Sequence, residues 1–188
     1  MSGSDPVELR DWKVVGRQQV LSRRPWIDVW EETIELPDGR IVDEFYHVAM
    51  RDYVSIVAED EQGDVIFERQ YKHGARRVSL TLPAGHLEDG EDPLDAAKRE
   101  LLEETGYAAP QWRSLGSFVI AGNAGVGKVH AFHAQGARYR QPVDSDDLED
   151  MILLRLDRPS IQEALRSGEI VLVGTALPLA LWLAEERR

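Results

Sequence analysis

The 188-residue sequence contains no cysteine, which removes disulfides, zinc–thiolate sites and thiol nucleophiles and leaves a reducing compartment open to it. Positive charge is scarce. Against 34 aspartates and glutamates stand 22 lysines and arginines, a formal net charge of −12, the opposite of the basic surface that grips a nucleic-acid backbone. Long apolar runs are lacking too: the most apolar tract, Ile170 to Ala184, is interrupted by Gly174, Thr175 and Pro178 and falls short of the roughly 20 residues of a membrane span. The opening Met-Ser-Gly-Ser-Asp-Pro has neither the basic nor the apolar region of a secretion signal. The expectation is a cytoplasmic protein with no membrane and no nucleic-acid partner. At 43% apolar content the chain can bury one good core, so one domain with some elaboration is the default.

What the chain does have is a crowd of acids in one place. Residues 85–107 pack Glu100, Glu103 and Glu104 into little more than one helical turn beside Arg99. Successive helical side chains are rotated by about 100°, so these three share one arc, while Leu94, Ala97 and Leu101 form an adjacent apolar stripe. Like charges at such spacings cost roughly 0.2–0.5 kcal/mol per pair, and crowding them at a helix C-terminus adds an unfavourable dipole interaction. Lys98 and Arg99 offset part of this, and Mg²⁺ or Mn²⁺, which prefer carboxylate oxygens, would offset more. The ends of the helix are marked: Asp92 suits the N-cap, Pro93 the first helical position and Gly106 a left-handed C-terminal stop, which predicts a helix over about 93–105.

This segment resembles the Nudix box, G-x5-E-x7-R-E-U-x-E-E-x-G-U with U apolar. Gly85, Glu91, Arg99, Glu100, Leu101, Glu103, Glu104, Gly106 and Tyr107 fill the pattern without a gap. Seven of its positions demand one residue type, so chance agreement is on the order of 10⁻⁸ to 10⁻⁹ per starting point. The resemblance implies hydrolysis of a nucleoside diphosphate linked to another moiety, with Mg²⁺ or Mn²⁺ as cofactor. It also implies that Glu100, Glu103 and Glu104 bind metal, that Arg99 orients them through ion pairs, and that Glu91 braces the loop. The carbonyl of Ala84 resembles a further ligand of the sugar-nucleotide branch.

Outside the box, Phe67-Glu-Arg69-Gln-Tyr71-Lys72 and Leu82-Pro-Ala-Gly85 resemble the R-Q-Y-R … E-L-P-A-G run of ADP-ribose and sugar-nucleotide pyrophosphatases. Lys72 stands where that branch commonly has arginine, which keeps the charge but loses bidentate phosphate recognition. Thr81 replaces a glutamate. In place of a proline about sixteen residues past the box, the chain reads Ile120-Ala-Gly-Asn-Ala-Gly-Val-Gly-Lys128. That stretch is not a Walker A loop, since its spacing is off by one residue and Val129 stands where Ser or Thr is required; a hairpin loop is expected. The acidic run Asp144 to Asp150 reads equally as a solvated surface and as a loop bearing the general base. Glu149 matches the family's loop glutamate, with Asp146, Asp147 and Asp150 as alternatives. Arg69 and Lys72 are candidate substrate contacts, as are Trp26 and Tyr46, although core packing is the commoner fate of such aromatics and of Trp30. Arg76 and Arg77 are further possible diphosphate contacts. The histidines show no paired ligand spacing.

β-branched and aromatic residues place strands at Val14–Leu21, Trp26–Leu36 and Arg40–Met50, with a turn at Pro37-Asp38-Gly39, then at Tyr53–Ala58, Asp64–Tyr71, Val78–Leu82, Gln111–Ile120 and Lys128–Ala134. Ser160-Ile-Gln-Glu163 reads as a capping box for a helix ending near Gly168, and Thr175 as the cap of a last helix. The fold class is α+β (mixed α/β). By resemblance it is a Nudix-like α/β/α sandwich over 51–188, with an added N-terminal antiparallel β module over 1–50 that pairs two subunits into a homodimer. Two other readings stay open: a Nudix enzyme for a dinucleoside polyphosphate or coenzyme, and a non-catalytic nucleotide-sensing module.

Overall fold

The computed structural model describes residues 9–144 and 150–185. Contacts divide the chain into two compact units, one made of the residues up to Arg51 together with Ile120–Gly127, the other of Asp52–Val119 and the chain from Lys128 onward.

The first unit is an antiparallel meander of β1 (Lys13–Arg23), β2 (Ile27–Glu35) and β3 (Ile41–Ala49). Its register sets Gln18 opposite Glu31 and Trp30 opposite His47. The Pro37-Asp38-Gly39 turn forms as expected: Leu36 and Arg40 close it through a 2.9 Å hydrogen bond, and Gly39 takes the positive φ of 85° that the reversal requires. Val48 pairs with the Gly125 region, its amide donating to the Ala124 carbonyl at 2.8 Å.

The second unit contains β4 (Tyr53–Asp60), β5 (Val65–Lys72), β6 (Arg77–Thr81), α1 (Pro93–Thr105), β7 (Tyr107–Ala108), most of β8 (Gln111–Ala121) and of β9 (Gly125–Tyr139), β10 (Ile152–Leu156), α2 (Arg158–Ser167) and α3 (Val173–Ala184). β9 runs parallel to β4, setting His133 opposite Val57, while β5 pairs antiparallel with β6 and with β10. β4 is buried on both faces, and the two-residue period of a strand divides its side chains between two cores. Val54, Ile56 and Ala58 pack with Phe132 and with Ala96, Ala97 and Leu101 of α1. Val57 packs with Phe67, Leu80 and Leu82, and with Ile161, Leu179 and Trp182 from α2 and α3. Helices thus cover both faces of a mixed sheet, the α/β/α arrangement expected of this segment, and burial of a side chain such as Leu101 contributes roughly 1.5–3 kcal/mol.

Two helix starts differ from the sequence reading. α2 begins earlier, capped by Asp157, whose carboxylate accepts from the Ser160 amide at 3.0 Å; Ser160 is the third helical residue, not the cap. α3 starts after Leu172, which offers no side-chain cap, and Thr175 is buried inside the first turn. No helix among the described residues is long and apolar enough to cross a membrane.

Candidate active site

The acidic cluster stands on α1, whose ends are fixed locally. Asp92, in extended conformation, accepts a 2.9 Å hydrogen bond from the Leu94 amide, and Pro93 follows it. Gly106 stops the helix at φ 75°, where a Cβ would overlap the Gln141 carbonyl oxygen. The chain beyond β9 returns to this same end: Arg140 donates to the Gly106 carbonyl at 2.8 Å and Asp144 to the Glu103 carbonyl at 2.9 Å. Asp144, the first residue of the acidic run, is therefore anchored at the C-terminal end of α1. Glu149, Asp146 and Asp147 lie outside the described residues; Asp150 is exposed.

Arg99 organises the cluster. Its Nε and one Nη grip Glu91 in two 2.9 Å bonds, and the other Nη donates to Glu100 at 2.7 Å and to Glu103 at 3.1 Å. The Nη that bonds Glu91 also donates to the His86 carbonyl at 3.2 Å, and Glu91 in turn accepts from the Glu88 amide at 2.9 Å. The box loop is thereby closed on the helix. The Arg99 guanidinium holds the Glu91 carboxyl below its ordinary range, and Glu91, more than Glu100 or Glu103, pushes the arginine's own pKa further up.

Glu104 is buried, 6% exposed, and accepts from the Ala84 amide at 2.8 Å. Gly85 is required by contact, since a Cβ there would overlap the Glu100 carboxyl group. The Pro83 and Gly85 carbonyls accept from Ile56 and Val54 of β4.

Glu100, Glu103, Glu104 and the Ala84 carbonyl, the ligands the sequence suggests, would offer a cation only oxygen donors, the kind hard divalent ions take. Among the described residues no three acids or imidazoles are already drawn into a cation cage, because Glu100 and Glu103 turn to Arg99 while Glu104 turns to the Ala84 amide.

The other candidates are dispersed. Lys72 lines a cavity beside Ala84 and Gly85. Arg69 pairs with Glu169 at 3.0 Å on the surface, and Arg76 and Arg77 are exposed. Trp26 and Tyr46, 65% and 48% exposed, belong to the first unit and are not packed into a core. Trp30 there carries Arg17 over its ring at 4.1 Å. The Gly122–Lys128 stretch is the hairpin between β8 and β9, as expected. Missed from sequence were Ser55 and Gln70, buried polar residues of the cavity wall. Ser55 carried no signal as an ordinary strand residue, whereas Gln70 lies inside the Arg69-Gln-Tyr71-Lys72 run and was passed over in favour of its charged neighbours.

A family model described as the NUDIX domain matches residues 49–171, and one described as the nucleoside diphosphate sugar hydrolase N-terminal domain matches residues 12–48. The chain is 29% identical over 148 residues to an ADP-ribose pyrophosphatase of Bacillus subtilis (strain 168), covering 77% of this chain and 79% of that one. It is 30% identical over 153 residues to a methanol dehydrogenase activator of Bacillus methanolicus, covering 80% and 82%. The crystal structure of an ADP compounds hydrolase superposes with a TM-score of 0.79 over 94% of each chain at 22% identity, a likeness of fold.

Proposed function

The chain belongs to the Nudix family of pyrophosphohydrolases, and from that membership we propose that it hydrolyses the pyrophosphate bond of a nucleoside diphosphate linked to a sugar, ADP-ribose or another nucleotide sugar, giving a nucleoside monophosphate and a sugar phosphate. The observation that carries this reading is the set of Glu100, Glu103 and Glu104 held between Arg99 and the Ala84–Gly85 backbone. The match of residues 12–48 to the N-terminal domain of nucleoside diphosphate sugar hydrolases supports the substrate class.

Mg²⁺ or Mn²⁺ bound by Glu100, Glu103, Glu104 and the Ala84 carbonyl would neutralise the diphosphate and lower the pKa of a bound water. Arg99 orients Glu100 and Glu103, and Glu91 holds Arg99 in place, so the acids are positioned before substrate arrives. Glu149 is the proposed base for the attacking water, with Asp146, Asp147 and Asp150 as alternatives. The anchoring of Asp144 on Glu103 supports a base from this run, because it starts the segment beside the acids. Residues 1–50 are proposed to pair two subunits and 51–188 to form the hydrolase domain. Exposed Val14, Val20, Trp26 and Tyr46 of the first unit support a homodimer, which sedimentation at twice the 21.2 kDa chain mass would bear out and a monomer would refute. A cytoplasmic location goes with a cysteine-free chain.

The test is a panel of ADP-ribose, GDP-mannose, UDP-glucose, NADH, dinucleoside polyphosphates and nucleoside triphosphates, assayed with Mg²⁺, with Mn²⁺ and with chelator. Nucleotide sugars are expected to release monophosphate and sugar phosphate only with metal. Preference for triphosphates or dinucleoside polyphosphates would refute the substrate class, and full activity in chelator the metal.

Gly85→Ala bears on the same geometry. Its Cβ displaces the Glu100 carboxyl group, the far end of a flexible side chain, so kcat is expected to fall about a hundredfold while stability changes little. Unchanged kcat at a normal Tm would show that Glu100 need not sit against Gly85.

A further inference from the structure

A cavity of about 330 Å³ shares the Ala84–Gly85 backbone with the acidic cluster and is otherwise walled by strands β4 to β6 and the start of α3. Two of its side chains are polar, buried and without a hydrogen-bond partner: Ser55 Oγ and Gln70 Oε1, in residues 1% and 3% exposed. Leaving such atoms unpaired costs roughly 1–3 kcal/mol each. The orientation of the Gln70 amide is fixed, because its Nε2 donates to Glu68 at 2.8 Å and to Thr81 at 3.0 Å, and reversal would turn its oxygen against the Glu68 carboxylate. The cavity wall thus contains an acceptor of fixed orientation, Gln70 Oε1, and a hydroxyl, Ser55 Oγ, that can donate or accept, both without a partner in the folded chain.

The opposite wall supplies the reverse polarity. α3 begins without a side-chain cap, and the amides of Thr175 and Ala176 both return to the Leu172 carbonyl, so those of Val173 and Gly174 have no acceptor within the helix. Lys72 lines the cavity as well. Amide donors on the α3 side favour phosphate oxygens; on the strand side an acceptor and a hydroxyl favour the O–H groups of a ring, and Lys72, two residues from Gln70 on β5, adds a cation to that same wall.

We propose that this cavity receives the sugar joined to the diphosphate, and that Ser55 and Gln70 decide which sugars the enzyme accepts. This rests on the nucleotide-sugar reading above. The group that enters beside the scissile bond is the one attached directly to phosphate, and the volume, near the lower end for ligand pockets, suits one hydroxylated ring rather than a whole nucleoside. Thr81, where a bulkier acid would intrude, is short enough to leave this space and still hold the Gln70 amide.

The full-length protein is tested as wild type, Ser55→Ala and Gln70→Met by kcat/KM on four compounds: ADP-ribose, ADP-glucose, the inosine analogue of ADP-ribose, and an alkyl ester of ADP without sugar hydroxyls. Ser55→Ala removes an unpartnered hydroxyl, so its Tm is expected to hold or rise while kcat/KM for ADP-ribose falls about tenfold. Gln70→Met is expected to lose more, roughly a hundredfold. The alkyl ester should be cleaved equally by all three proteins, and the inosine analogue should suffer the same loss as ADP-ribose. Equal losses on the alkyl ester, a loss that follows the base, or no loss from either variant would overturn the proposal while leaving the nucleotide-sugar reading intact. Failure of the wild type to hydrolyse any nucleotide sugar, GDP-mannose and UDP-glucose included, would instead overturn that reading, and this inference with it.

Discussion

Glu104→Gln is expected to lower kcat/KM on the preferred nucleotide sugar by about a thousandfold while leaving Tm in metal-free buffer unchanged or a few degrees higher. The two effects have one cause. Glu104 is buried at 6% exposure, one helical turn from Glu100 and beside Glu103, so its charge is held among like charges. Glutamine keeps one oxygen for the Ala84 amide at 2.8 Å and replaces the other, together with the charge, by an NH2 group of nearly the same size. The bond to the box loop is kept, while the proposed metal site loses a charged ligand. Kinetics together with thermal denaturation with and without Mg²⁺ decides the matter. The wild type should be stabilised by saturating Mg²⁺ and the variant much less, because binding to the folded state alone raises stability with ligand concentration. Wild-type turnover in the variant, or equal stabilisation of both, would remove Glu104 from the metal site.

How far the sequence could be read depended on how local each determinant is. α1 was legible at both ends because Asp92, Pro93 and Gly106 act within a few residues of themselves. α2 was misplaced by three residues because Asp157 and Ser160 are both good caps, and only the observed bond from the Ser160 amide to the Asp157 carboxylate decides between them. α3 gave no true cap signal at all, since its start is set by packing and Thr175 is buried. β7 and β10 were missed. Both are short, and β10 is a strand because Leu154 lies opposite Phe67 across β5, a partner 87 positions away by subtraction of the two residue numbers. The same division runs through the site. The acids and Arg99 were visible as a pattern, whereas the burial of Glu104, the contact of Gly85 with Glu100 and the unpartnered Ser55 and Gln70 depend on chain segments brought together only by the fold.

Arg99→Lys and Arg99→Ala are expected to lose about 2–3 kcal/mol of stability, roughly 4–12 °C in Tm for a chain of this size, with activity lost in parallel. Lysine retains the charge but has no planar fork. It cannot reproduce the paired 2.9 Å bonds to Glu91 while reaching Glu100, Glu103 and the His86 carbonyl, so most of the loss should appear in the lysine variant too. The pH dependence separates charge from packing. In the wild type Arg99 holds the Glu91 carboxyl below its ordinary value of 4.5, so the stability from that pair is complete above 4.5 and is lost as pH falls through the lowered folded value. In Arg99→Ala the sign reverses: Glu91 keeps the desolvation that raises its pKa and loses the guanidinium that lowers it, so it should bind a proton more readily folded than unfolded, and stability should rise as pH falls from 7 toward about 5. Chemical denaturation of both proteins across pH 4–8 measures this. An Arg99→Ala protein whose stability runs parallel to the wild type over that range would mean that the guanidinium serves the fold by packing alone, and that the acids of the cluster do not feel its charge.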